Sequence, residues 1–190
     1  MTSKRARYSE HNAATYNAAF DALQARYELG GNALENIVSG TLTASSAAID
    51  LPFTAGAYKY LRLLTNLKDD GAGDSGLKAN GDSSTVYDYI ALEADGGSLS
   101  GFPLASVNYV PLYADSTNPL SVDSWIFLTS TGFNLIGYAT LQLGGITFNS
   151  RIGGVYRGGP VTSLQLTFQY PALGGLYLAN TSYLLQGLPI

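Results

Sequence analysis

From residue 41 onward the chain is cut into short runs that alternate apolar and polar residues, each closed by Gly, Pro, Asn or Asp. This cadence constrains the fold more than any other feature. A period of two sends successive side chains to opposite faces of a strand, and closely spaced turn residues leave no room for crossover helices. Tyr58–Leu67, "YKYLRLLTNL", is the clearest run: Tyr58, Tyr60, Arg62 and Leu64 point one way, and Lys59, Leu61, Leu63, Thr65 and Leu67 the other. Val161–Tyr170, "VTSLQLTFQY", alternates as cleanly. Further strands are expected at Thr41–Leu51, Val86–Leu92, Ser124–Thr131, Phe133–Leu143, Ile146–Ile152 and Tyr183–Leu188, with a turn at Asn80-Gly81-Asp82 and a turn or bulge cluster at Gly153–Pro160. Phe102–Tyr113 carries Pro103 and Pro111, which fits an edge strand or an ordered loop, because Pro cannot donate to a ladder. Short strands in series without intervening helices indicate a mainly β chain, an antiparallel β-sandwich or jelly roll.

Before residue 40 the period differs. In Ser9–Leu29, Ala13, Tyr16, Phe20, Leu23 and Tyr27 recur at steps of 3, 4, 3 and 4, one narrow stripe on a helix. Ser9 is a suitable N-cap, Glu10 suits the positive end, and Gly30-Gly31 terminates the segment. So short a helix needs something to pack against. The stripe is expected to gather sister copies in a short coiled coil, to rest on its own β-domain, or to dock on another protein. Asn32–Val38, "NALENIV", suggests a second helical turn with Leu34, Ile37 and Val38 on its apolar side. Ahead of the helix, Lys4, Arg5 and Arg7 form a basic arm without an acid, expected to be either a disordered terminus or an anchor to an acidic partner surface. The expected division is therefore residues 1–40 as basic arm and α-helical anchor or oligomerisation segment, and residues 41–190 as the β-domain.

Composition limits function. Charged residues are only 13% of the chain, against 46% hydrophobic, and residues 124–190 carry no charge beyond Arg151 and Arg157. A lone soluble domain keeps more surface charge than this. Either that third is buried or its outer surface meets a neighbouring copy. A net charge of −4 argues against a general nucleic-acid surface, and no apolar run is long enough for a helical membrane span. The basic start lacks an apolar stretch behind it, so it does not read as a signal peptide.

Catalytic constellations are not legible. His11 is the sole histidine and sits on the helical segment, and Cys is absent, so His- or Cys-based triads and zinc sites lack their parts. "KDDGAGDSG", residues 68–76, groups Asp69, Asp70 and Asp74 with glycines, but without the ordered spacing and distal Glu of a calcium loop. Neither enzymatic activity nor a cofactor or metal is expected. Tyr87, Tyr89, Tyr109, Tyr113, Tyr156 and Tyr177 are candidates for stacking on sugars, weighed against the ordinary use of Tyr in half-buried strands.

The order "YLRLLTNL", "ANGDSSTVY" (Asn80, Gly81, Asp82, Tyr87), "ITFNSRIGGVYRGGPVTSLQLTF" and "NTSYLLQGL", over residues 58–188, resembles small tailed-phage virion proteins of the head-decoration, head-fibre or tail-fibre type. These pair a short N-terminal segment with a C-terminal jelly-roll-like β-domain. The resemblance implies a homotrimer on the virion surface, assembled in the host cytoplasm, with other capsid or tail proteins as partners. Its alternative implication is a tail-fibre or receptor-binding protein whose tip meets a host-surface glycan or protein.

Overall fold

The computed structural model describes residues 34–70, 75–95, 98–113, 120–143, 146–168 and 175–190. All of these after residue 34 belong to one compact unit, Glu35–Ile190. Its strands are β1 (Glu35–Thr41), β2 (Ile49–Pro52), β3 (Tyr58–Leu67), β4 (Ser75–Ala79), β5 (Tyr87–Asp95), β6 (Ser98–Val107), β7 (Val110–Tyr113), β8 (Leu120–Thr129), β9 (Gly132–Leu143), β10 (Ile146–Tyr156), β11 (Ser163–Phe168) and β12 (Ser182–Pro189). They form an eight-stranded sheet, β1-β12-β3-β8-β9-β10-β5-β6, and a four-stranded sheet, β2-β11-β4-β7. Every pairing is antiparallel.

The chain weaves between the two sheets. β1, β3, β8 and β12 lie side by side in the large sheet, while β2, β4, β7 and β11 make up the small one. The pairs β5-β6 and β9-β10 widen the large sheet beyond β8. One hydrophobic cluster joins the layers, with Leu61, Leu63, Leu67, Val122, Ile126, Leu135, Ile152 and Leu185 from the large sheet and Leu51, Leu77, Leu112, Leu164, Leu166 and Phe168 from the small. The molecule is thus a two-layer antiparallel β-sandwich.

β3 occupies the span its alternation predicts, with Leu61, Leu63, Thr65 and Leu67 buried and the intervening side chains turned outward. The strands that carry Pro103 and Pro111 both lie at edges: β6 ends the large sheet and β7 the small. There a missing N–H costs no ladder bond.

Three expectations are corrected. The second helical turn expected at Asn32–Val38 is not formed by its described part: residues from Glu35 onward form β1, paired with β12 from Glu35↔Gly187 to Thr41↔Ser182, and residues 32 and 33 lie outside the described residues. Long-range pairing and the packing of Ile37 and Val38 against the core override the local pattern. The sheet therefore starts six residues before the expected boundary of the β-domain. Thr41–Leu51 is not one strand. Between β1 and β2 the chain crosses from one sheet to the other, held at Ser46, whose backbone exchanges hydrogen bonds with Tyr177. Gly153–Tyr156 is not a turn but the end of β10. A Cβ on Gly154 would stand 2.5 Å from Val110 Cγ1, so this glycine lets the two layers approach closely.

Candidate functional site on the outer face of the large sheet

Alternation leaves half the large sheet's side chains facing away from the small one, and ladder registers arrange them in rows across the strands. One row runs Gln186, Arg62, Trp125, Ile136, Gly153, Ile90 over β12, β3, β8, β9, β10 and β5. The row on one side runs Leu188, Tyr60, Phe127, Asn134, Val155, Asp88. The row on the other side holds Leu184, Leu64, Asp123, Tyr138 and Arg151. Beyond it the outward residues are Thr41, Ser182, Asn66, Ser121, Thr140 and Asn149.

Ile90, Trp125, Phe127, Ile136 and Tyr138 are 48%, 36%, 37%, 58% and 57% exposed. Among the described residues, the large hydrophobic side chains left this open all lie on this face, apart from Ile190. These five side chains lie on β8, β9 and β5, across four adjacent strands and three rows, about 19 by 20 Å at ordinary sheet spacings, with polar residues among them. Exposed apolar side chains grouped in this way mark a candidate interaction site.

The charges on this face are tied down. Arg62 donates to Asp123 through Nε at 3.0 Å and Nη2 at 2.7 Å, and its guanidinium lies 5.4 Å from the Trp125 ring centroid. The hydrogen bonds to Asp123 raise the Arg62 pKa further above its already high ordinary value. Arg151 lies over Tyr138 at 5.6 Å, and Arg157 pairs with Asp88 through both guanidinium nitrogens. Tyr60 meets Phe127 edge-on at 5.3 Å. The result is an aromatic surface with two closed ion pairs, Arg62–Asp123 and Arg157–Asp88, and with Arg151 against a ring.

A second cluster joins "ANGDSSTVY" to "ITFNSRIGGVYRGGPVTSLQLTF". Asn80 sits at the β4 turn with φ 56°, a left-handed conformation that Asn tolerates. Its Oδ1 accepts from the Thr162 N–H (2.8 Å), the Thr162 hydroxyl (3.0 Å) and the Ser163 N–H (3.3 Å). Its Nδ2 donates to Pro160 O (2.9 Å) and Tyr156 Oη (3.4 Å). The buried Tyr87 hydroxyl accepts from the Ala79 N–H at 3.1 Å and donates to Asp82 O at 3.0 Å. Tyr156 also donates to the Asp82 carboxylate. The Ser84 hydroxyl, then its N–H, hold the Asp82 carboxyl below the usual carboxylate range. Tyr87, Tyr156 and Phe133 stack beneath, with centroids 4.8 and 5.7 Å apart. This cluster pins the β4–β5 turn to the segment entering β11.

Of the sugar-stacking candidates, Tyr87, Tyr109, Tyr156 and Tyr177 are at most 2% exposed and belong to the interior. Tyr109 lies over Gly76, whose added Cβ would be 2.1 Å from the ring. Tyr177 donates to Thr167 O at 2.9 Å and stacks on Phe168 at 4.5 Å. Tyr89 is half-buried, and the Tyr113 side chain lies outside the described residues. The open aromatics are instead Trp125, Phe127 and Tyr138, which the sequence signals only as outward positions of β8 and β9. The anchor stripe Ala13, Tyr16, Phe20, Leu23, Tyr27 and the basic arm Lys4, Arg5, Arg7 also lie outside the described residues, as does Asp74 of the Asp/Gly loop. Among the described residues, no group of three or more His, Cys, Asp or Glu could hold a metal ion, and no helix is long and apolar enough to cross a membrane. No family model, no curated protein and no solved structure matches the chain.

Proposed function

We propose that the chain is a non-enzymatic structural protein of a bacteriophage virion, a homotrimeric capsid-decoration or head-fibre protein. In this reading the segment before β1 attaches to the particle, with its short α-helix and basic arm as the anchor, and a jelly-roll β-domain faces outward on the virion surface. The observation that carries it is the apolar outer face of the large sheet: Ile90, Trp125, Phe127 and Ile136 are exposed side by side while the nearby charges are internally paired. A surface of this kind suits burial against sister copies, since interface cores are depleted in free charge and rich in aromatics. Two further points support the reading. β1-β12-β3-β8 opposite β2-β11-β4-β7, visited in chain order, is the strand arrangement of a jelly roll. Two of the four stretches that carry the resemblance to phage virion proteins are bonded to each other through Asn80.

Sedimentation velocity of the purified protein at micromolar concentration tests the assembly. A trimer is expected, and Trp125→Lys with Ile136→Glu should release folded monomers. A wild-type monomer would overturn the assembly. Removing residues 1–29 should leave a folded β-domain that no longer decorates particles; retained decoration would overturn the anchor.

A further inference from the structure

The polar end of the same face forms a groove of about 600 Å³ over β1, β12, β3, β8 and β9. Its floor is the row Thr41, Ser182, Asn66, Ser121 and Thr140, one hydroxyl or carboxamide from each successive strand. Its wall toward the apolar patch is formed by Leu64, Asp123 and the exposed ring of Tyr138. We propose that this groove is a binding site for a neutral oligosaccharide lying across the strands.

The lining selects that chemistry. Asp123 is the sole charged residue lining the groove, and Arg62 already holds it in a two-point pair, so the lining itself offers an ionic ligand no open counter-charge; Arg151 stands behind Tyr138, outside the lining. A wholly apolar ligand would strip water from five polar side chains without replacing their hydrogen bonds. Hydroxyls and carboxamides both donate and accept, as the hydroxyls of a sugar do. Neighbouring strands are about 4.8 Å apart, a spacing close to the repeat of an extended pyranose chain. Consecutive strands can therefore each meet a consecutive sugar unit. Tyr138 supplies the apolar contact: Arg151 braces its ring, and the ring remains 57% exposed for the apolar side of a sugar. The volume falls in the range of small-ligand sites.

The test is saturation-transfer NMR and titration calorimetry on the full chain, with linear gluco-, xylo- and N-acetylchito-oligosaccharides and with oligogalacturonate as an anionic control. At least one neutral series should bind, the anionic control should not, and Tyr138→Ala should weaken binding about tenfold, the loss of one good contact. Asn66→Ala should weaken it too, and Thr131→Ala, on the distant β8–β9 turn, should not. Circular dichroism on each variant separates lost binding from lost folding. If no neutral series binds at millimolar concentration, if only the anionic chain binds, or if both groove variants bind as wild type, the inference fails. It stands apart from the trimer reading, because Trp125→Lys with Ile136→Glu should abolish assembly and leave sugar binding in place.

Discussion

Asn80→Gly and Asn80→Ala together measure what the Asn80 cluster contributes. Three of the five Asn80 side-chain hydrogen bonds are 3.0 Å or shorter. At about 1 kcal/mol net for each good bond, their loss comes to about 3 kcal/mol. Water can reach this exposed site and recover part of that, so about 2 kcal/mol should remain for Asn80→Gly, which meets no penalty at φ 56°. Asn80→Ala loses the same bonds and also pays about 1 kcal/mol for the left-handed backbone. In a unit of this size, 1 kcal/mol moves the melting midpoint by about 2–4 °C. Asn80→Gly should therefore melt about 4–8 °C below wild type and Asn80→Ala lower still, both at fixed protein concentration because any association would shift the midpoint. Scanning calorimetry with urea unfolding as a second measure is the assay. If Asn80→Gly melts within about 1 °C of wild type, the carboxamide does not tie the β4–β5 turn to the start of β11. If Ala and Gly melt together, the backbone term is wrong.

Burial pushes the Tyr87 and Tyr177 hydroxyls well above their ordinary value; the stability they give is complete below about pH 10, the unfolded value, and is lost as pH rises beyond it. Ultraviolet titration should show these two rings ionising only as the protein unfolds. The depressed Asp82 carboxyl gives stability present above about pH 4 and lost as pH falls through its folded value, and Ser84→Ala should reduce that acid-side loss in urea midpoints between pH 3 and 7. Gly76→Ala drives a methyl into the Tyr109 ring, which is 2% exposed and has no open side to retreat to, and should cost about 1–3 kcal/mol by chemical unfolding. Arg62→Met should change monomer stability by less than about 1 kcal/mol, because the Arg62–Asp123 pair is 30% and 42% exposed.

The parts of the fold written in local periodicity were legible, and those set by distant contacts were not. Tyr58–Leu67 alternates because one face meets the core and the other does not, so its pattern contains the answer. "NALENIV" has helical spacing, and only β12, about 150 residues later in the chain, turns it into a strand. Gly153-Gly154 looks like a turn until Val110 is seen pressing on Gly154 from the other layer. The candidate face was half legible. The shortage of charge after residue 124 pointed to a covered surface, but Trp125, Ile136 and Ile90 become neighbours through ladder register, which no local spacing encodes. Among the tyrosines, composition could not separate core from surface. Tyr87 and Tyr177 are interior because each finds a backbone carbonyl for its hydroxyl.

The β1–β12 pairing also sets the order in which the protein can be made. β12 lies between β1 and β3, so the large sheet has a gap until residues 182–189 have left the ribosome. Until then β1 lacks its ladder partner and β3 presents an open edge, the kind of surface that recruits stray strands. The sheet closes only once those residues have emerged, through contacts of long sequence separation, which fold slowly. A chain stopped at residue 181 would lack an interior strand of the large sheet, and should be found in aggregates or bound by chaperones.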